Sequence, residues 1–385
     1  MFLKSITLSN ILSYGHTQEK LELRPLNVLI GPNGSGKSNL LETLDLLRSS
    51  PLDLVTPIRD GGGVRDWLWK GESQAVASIE AVFRQENERD IRYLLRFTES
   101  HQQFIIIEEK IERETPDPGY SQPYLFYRFS NGQAILNVKG DHRSLQREEI
   151  EPTQSIFSQR KDPDQYPELT SLGRSLAQIR LYREWSLGRY TLPRLPQKAD
   201  LPTDYLLSDA SNLGLILGKL RMNPEAKQHL LDQLNKLYDG IEDYEVHVEG
   251  GTVQVFLKEG RFFIPATRLS DGTLRYLCLL AVLCHPAPPP LVCIEEPELG
   301  LHPDIVPSLA ELLKEASQNC QLIITTHSDI LVDALSEDPE SVIVAFRDTK
   351  GTNLERLNAE KLHPWLQKYR LGQLWTRGEI GGTRW

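Results

Sequence analysis

Cysteine is scarce: the 385-residue chain has four, Cys278, Cys284, Cys293 and Cys320. No C-x-x-C spacing joins them and no histidine pair lies nearby, which excludes a readable zinc site or disulfide framework. Placed in apolar stretches, they read as core residues of a protein kept in a reducing compartment. Long apolar runs are also missing. No stretch approaches the ~18–20 residues needed to cross a bilayer. The opening "MFLKSITLSN" alternates like a strand and lacks the apolar centre of a signal peptide. The expected location is cytoplasmic, with no membrane partner. Positive charge is in deficit. A formal net charge of −10 argues against a uniformly basic nucleic-acid binder. One stretch departs from this, "GRSLAQIRLYREWSLGRYTLPRLPQK", where Arg174, Arg180, Arg183, Arg189, Arg194 and Lys198 accompany only Glu184. It reads either as a solvated, ion-paired face or as a surface for the phosphates of nucleic acid or a partner.

What is present is enough apolar content, 39% of residues, to build a substantial core in one large domain or two ordinary ones. Residues 2–30 read as strands, "FLKSITLSN", "EKLELR" and "LNVLIG", and "KSNLLETLDLLR" has helical spacing. The glycine-rich "TPIRDGGGVRDWLWKGE" reads as a loop, and residues 75–138 as a run of strands. One helix is expected at about 171–185. Two more follow in "SNLGLILGKLRM" and "PEAKQHLLDQLNKLYDG", the second with Pro224 at its first turn. Strands return in "YEVHVEGGTVQVFLKEGRFFI" around a Gly250-Gly251 turn. From 271 onward helices and strands alternate, the pattern of a largely parallel sheet. The expected division is an N-terminal lobe at 1–140, a mostly helical, lid-like insertion at 141–240 and a C-terminal lobe at 241–385.

Four motifs carry chemistry. "GPNGSGKS", residues 31–38, fits G-x-x-x-x-G-K-[ST] between an expected strand and an expected helix. Its glycines let backbone N–H groups approach phosphate oxygens at a helix N-terminus. Asn33, Gly34, Ser35, Gly36, Lys37, Ser38 and Asn39 form the expected nucleotide-binding set. Lys37 faces the β- and γ-phosphates, Ser38 faces Mg²⁺, and ATP is the favoured nucleotide. "LVCIEEPELGLHP" then delivers Glu295 and Glu296 to the carboxyl end of an apolar strand, where ligands sit in open α/β sheets. Successive strand residues point opposite ways. Glu295 is therefore assigned to the metal and Glu296 to the attacking water. The alternative is a pair of surface carboxylates capping the next helix. "QLIITTHSD" ends another apolar strand at His327, read as a γ-phosphate sensor against the ordinary alternative of a structural histidine. Finally, "RLSDGTLRYLCLLAVL" opens a helix with a small-residue turn suited to an anion.

In this order, the motifs resemble the ABC-type ATPase superfamily. "FLKSITLSNILSYG", "VLIGPNGSGKSNLLETL", "RLSDGTLRYLCLLAVL", "IEEPELGLHP" and "ITTHSDILVDAL" look most like its RecF, structural-maintenance-of-chromosomes and OLD-like branch, including small prokaryotic AAA-family ATPases. The resemblance implies an α/β ABC-ATPase head: a mostly parallel sheet, an antiparallel β lobe and a small helical insertion. It also implies Mg²⁺-dependent ATP hydrolysis and a head-to-tail homodimer around ATP. Ser270 and Gly272 would reach the γ-phosphate held by the other copy's P-loop, and "ELGLHP" would lie at the dimer interface. An effector protein or DNA is the implied partner, and phage defence or DNA maintenance the implied setting.

The chain departs from the family pattern at several points. Glu295 stands where Asp is usual and Asp271 where Gly is common. Gln74 is the candidate for the metal-sensing glutamine, and a base contact is expected near Asn10–Tyr14. Two other functions stay open: a nucleotide-gated module with little turnover, and a transporter's ATPase subunit, which the long P-loop-to-signature spacing disfavours. The segment after His327 is shorter than an ordinary domain of about 100 residues, so no nuclease domain of the OLD kind is expected there. The ending "LGQLWTRGEIGGTRW" reads as a packed segment or a docking tail.

Overall fold

The computed structural model describes residues 2–16, 20–72, 75–85, 89–139 and 144–382. Gln74 and Trp385 lie outside the described residues. The chain forms two compact units, one of residues 1–179, 343–357 and 380–385, the other of 180–342 and 358–379.

The first unit is built on an eight-stranded antiparallel sheet. Its central strands, Ala77–Phe83, Ile91–Ser100 and Gln103–Arg113, follow one another as hairpins. Ile91, Tyr93, Leu95 and Phe97 are buried and alternate with the less buried Arg92, Leu94 and Arg96. On the other face Arg92 and Arg96 pair with Glu112 and Glu108 of the neighbouring strand. One carboxylate breaks the rule. Glu109 is buried and accepts bonds from the Tyr93 hydroxyl (2.8 Å), the Ser155 hydroxyl (2.5 Å) and the Ile156 amide (3.0 Å). Burial nevertheless pushes its pKa above the usual glutamate value. The same unit holds the strand Leu26–Ile30, buried at all five positions, and, from residue 343 on, the hairpin of Val342–Asp348 with Gly351–Arg356.

The second unit contains a parallel trio, Arg180–Tyr182, Leu291–Glu295 and Gln321–Thr325, with Leu291–Glu295 in the middle. Residues 291–294 and 321–325 are buried throughout, as strands covered on both faces must be. A smaller antiparallel sheet joins Asp243–Glu249, Thr252–Glu259 and Phe262–Pro265, with the expected Gly250-Gly251 turn at positive φ. Pro224 opens its helix as expected, and the Asn223 side chain caps it by accepting from the amides of Glu225 and Ala226. The helix Leu371–Thr376 buries Leu371, Leu374 and Trp375 and packs on Asp329–Asp333, so this part of the C-terminal segment belongs to the core. All four cysteines are buried, and desolvation raises the thiol pKa of Cys278, Cys284 and Cys320 to about 12.

Two expectations of local structure are corrected. The glycine-rich loop contains short helices, Val55–Asp60 and Val64–Trp67. The first is started by Asp53, which accepts from the Val55 amide and the Thr56 hydroxyl. The helix expected at 171–185 is Pro167–Ala177 and stops there. Residues 180–182 instead form a strand against Leu291–Glu295, with Tyr182 opposite Ile294. A three-residue strand is invisible to periodicity and exists because its neighbour pairs with it. Among the described residues, no helix is long and apolar enough to cross a membrane.

Candidate functional site: a P-loop and a strand-end carboxylate–histidine edge

In the first unit, the buried strand Leu26–Ile30 leads into residues 31–36, and the helix Lys37–Ser49 follows. Gly36 occupies the helix N-cap with φ 99°, a left-handed conformation open to glycine at little cost. A Cβ there would lie 2.3 Å from the Thr352 hydroxyl and 2.6 Å from that of Ser13. The floor beneath the loop is therefore a set of hydroxyls: Ser13 Oγ accepts from Asn39 Nδ2 and Thr352 Oγ1, both at 2.7 Å. The Tyr14 hydroxyl donates to the Gly36 carbonyl at 3.0 Å, and the ring is buried. Tyr14 is thus spent on supporting the loop and offers no ring face to a base. Asn39, too, directs its amide into this scaffold. Lys37 folds back over the loop, donating to the carbonyls of Gly31 (2.8 Å) and Pro32 (3.2 Å). The other side of the loop is open: nothing lies within 4 Å of where a Gly34 Cβ would stand, and the buried Ser35 hydroxyl has no partner. An open cradle with an orphaned donor and a lysine at its lip fits a polyphosphate.

In the second unit, Glu295 ends its strand and accepts from Arg183 Nε at 3.0 Å. Glu296 is held differently. Its backbone turns left-handed (φ 46°), a conformation that costs a non-glycine residue about 1–3 kcal/mol. The Glu296 amide donates to the Thr325 carbonyl at 2.9 Å. The side chain turns to His327, with Oε1 3.5 Å from Nε2. The two acids therefore do face different partners, although a backbone reversal and not strand alternation separates them. Pattern reading missed Glu298, the third acid of "EEPELG". Its Oε1 accepts from the Thr326 hydroxyl (2.6 Å) and the His327 amide (3.0 Å), fixing the turn that presents the imidazole. Arg183, Glu184, Glu295, Glu296 and Leu299 line a hollow of about 590 Å³.

The Ser-Asp-Gly-Thr turn lies in the same unit. Ser270 caps the helix Asp271–Leu283, its hydroxyl accepting from the Thr273 amide at 3.0 Å. Gly272 is required by close approach: a Cβ would meet the Gly300 carbonyl at 2.9 Å. Arg194, 6% exposed, organises the turn from beneath. It donates to the carbonyls of Leu187 (2.7 Å), Ala266 (3.2 Å) and Leu269 (2.5 Å) and pairs with the Asp271 carboxylate. Of the two readings open for 174–198, the paired face describes part of the stretch, and Arg174, Arg189 and Lys198 are exposed. Arg194 is buried, Arg183 is paired with Glu295, and Arg180 lies over the Tyr205 ring at 4.8 Å.

Solved structures resemble this fold throughout its length. The SmcHead bound to the C-winged helix domain of ScpA gives a TM-score of 0.58 at 16% identity, covering 94% of this chain and 100% of that one. The Smc head domain with an extended coiled coil, bound to the C-terminal domain of ScpA derived from Pyrococcus furiosus, gives 0.58 at 13%, covering 95% and 99%. The head with coiled coil and joint derived from Pyrococcus yayanosii gives 0.53 at 12%, again covering 95% and 99%. No curated protein matches the chain. Fold and P-loop define the class: a nucleotide-binding ATPase of AAA type with the α/β head fold of the ABC and Smc proteins. Within that class, the chain belongs to the family described as "AAA domain, putative AbiEii toxin, Type IV TA system", whose model matches residues 26–333.

Proposed function

We propose that the protein is a Mg²⁺-dependent ATPase that dimerises head to tail around ATP and couples its nucleotide state to a partner. The observation that carries this reading is Glu296, held in a costly left-handed backbone beside His327 at the end of a parallel strand. Strain of this kind persists where surrounding structure enforces it for a purpose. In the proposed reaction Lys37 neutralises the terminal phosphates and Glu296 accepts the proton of the attacking water. His327 donates to the γ-phosphate. The Ser38 hydroxyl and the Glu295 carboxylate would hold Mg²⁺, being hard oxygen donors of the kind this ion takes. When bound, the ion shields the phosphate charge that develops during transfer. Ser270 and Gly272 of a second copy complete the phosphate shell; the exposed Ser270 stands at the N-terminus of a 13-residue helix, a natural anion site.

A protein effector in the cytoplasm is the favoured partner, because Arg183 and Arg194 of the basic stretch that would have served DNA are engaged within the protein. The ScpA complexes of the Smc heads are in keeping with such a partner. A second reading, a nucleotide-gated module with little turnover, draws support from the Arg183 contact on Glu295. The deciding experiment is Glu296→Gln. The expected variant binds ATP, accumulates as a dimer by light scattering, and loses about 10²–10⁴-fold in hydrolysis. A monomer at saturating ATP, or normal turnover, overturns the proposal. Wild-type dimerisation without measurable hydrolysis selects the second reading.

A further inference from the structure

The strand pairing makes one contact at the carboxylate edge systematic. Tyr182 stands opposite Ile294 in the parallel ladder, so the next residues along, Arg183 and Glu295, are neighbours by register. The guanidinium is not a passing surface charge on a flexible stem. It is delivered to Glu295 by the strand that the helical expectation for 171–185 had hidden. The contact, Nε to Oε2 at 3.0 Å, uses the carboxylate that the proposed function gives to the metal.

A ligating carboxylate is itself hydrogen-bonded by an outer donor, which orients it toward the ion. A charged guanidinium does more than orient. It withdraws charge from the carboxylate and places a permanent positive charge beside a divalent cation. Like charges a few ångströms apart in a partly desolvated hollow repel. The pair is also easy to break: the Arg183 and Glu295 side chains are 36% and 19% exposed, and exposed ion pairs are weak. The hollow of about 590 Å³ beside them gives the guanidinium somewhere to go.

We infer that Arg183 is a latch on the metal carboxylate, competing with Mg²⁺ for Glu295 and setting the cation concentration at which the nucleotide site loads. The inference rests on the assignment of Glu295 to the metal in the proposed function. Its consequence is regulatory: occupancy by metal and nucleotide together, not nucleotide alone, frees the strand end at Arg183.

The test measures cation binding and not turnover. Full-length protein is loaded with a non-hydrolysable ATP analogue and titrated with Mn²⁺, read by the loss of the free-ion paramagnetic resonance signal. Arg183→Gln is expected to bind Mn²⁺ at least fivefold more tightly than wild type. Arg183→Lys, which keeps the charge, is expected to stay within about twofold of wild type and to show that the site tolerates substitution. Weaker or unchanged Mn²⁺ binding by Arg183→Gln, with analogue affinity in EDTA intact, overturns the latch. If Glu295→Gln leaves Mn²⁺ binding untouched, the metal assignment itself fails and the latch falls with it. Tightening in Arg183→Gln that disappears in the Arg183→Gln/Glu295→Gln double variant establishes the competition.

Discussion

The P-loop and the carboxylate edge are built by opposite means. The P-loop is backbone: glycines at conformations strained for other residues, over a floor of the Ser13, Asn39 and Thr352 side chains. The edge is made of side chains. Glu295, Glu296 and Glu298 each find a different partner, Arg183, His327 and the Thr326–His327 turn. A backbone site tolerates changes of charge around it but not of volume. A side-chain site tolerates changes of volume but not of charge or hydrogen-bonding capacity.

Substitutions test this contrast. The largest effect is expected at a third site, the side-chain scaffold under the serine–glycine turn. Arg194→Met leaves three buried carbonyls and the Asp271 carboxylate without their cation and is expected to cost about 3–5 kcal/mol. Asp271→Asn, at an exposed position, is expected to cost about 0.5 kcal/mol or less. Urea denaturation of both variants checks the ratio, and equal costs would dissolve the case for Arg194 as the organiser of the turn. On the backbone side, two glycines with similar φ make the comparison. Gly34→Ala meets open space, and its cost is expected to be about the 1–2 kcal/mol of left-handed backbone alone. Gly36→Ala drives a methyl into the Thr352 and Ser13 hydroxyls and is expected to cost clearly more and to abolish ATP-analogue binding, measured by calorimetry.

The smallest effect is one of pH and concerns a carboxylate away from either site. The pKa of Glu109 is raised by burial, so the folded state holds its proton more tightly than the unfolded chain does. Its contribution to stability is full below the ordinary glutamate pKa and is lost as pH rises through the raised value. Glu109→Gln removes this dependence. The melting temperature of the variant, relative to wild type, is expected to rise between pH 4 and pH 8. A constant difference would show that Glu109 titrates as an exposed glutamate does.

Legibility followed the same division. "GPNGSGKS" announced its loop because the constraint is on residue size, and size is written in the letters. The buried strands 291–295 and 321–325 were readable from unbroken apolar runs, and the Gly250-Gly251 turn from its dipeptide. Glu295, Glu296 and His327 were found as residues at strand ends. The partner of Glu295 was not, because Arg183 lies more than a hundred positions upstream on a strand too short to leave a period. Composition left 174–198 open between two readings for a related reason: it counts charges but does not say which are turned inward, as Arg194 is, or paired beside a ladder, as Arg183 is.

The letters alone determined the class of protein, the phosphate loop and the strand ends that carry acids and histidine, since each depends on local size, periodicity or order along the chain. Only the contacts of the folded chain establish that Glu296 turns to His327, that Glu298 pins the histidine turn, that Arg194 holds the serine–glycine corner and that Arg183 sits on Glu295. These are contacts between residues remote in sequence, and only the paired strands and buried hydrogen bonds of the folded chain select them from the many partners a charged side chain could take.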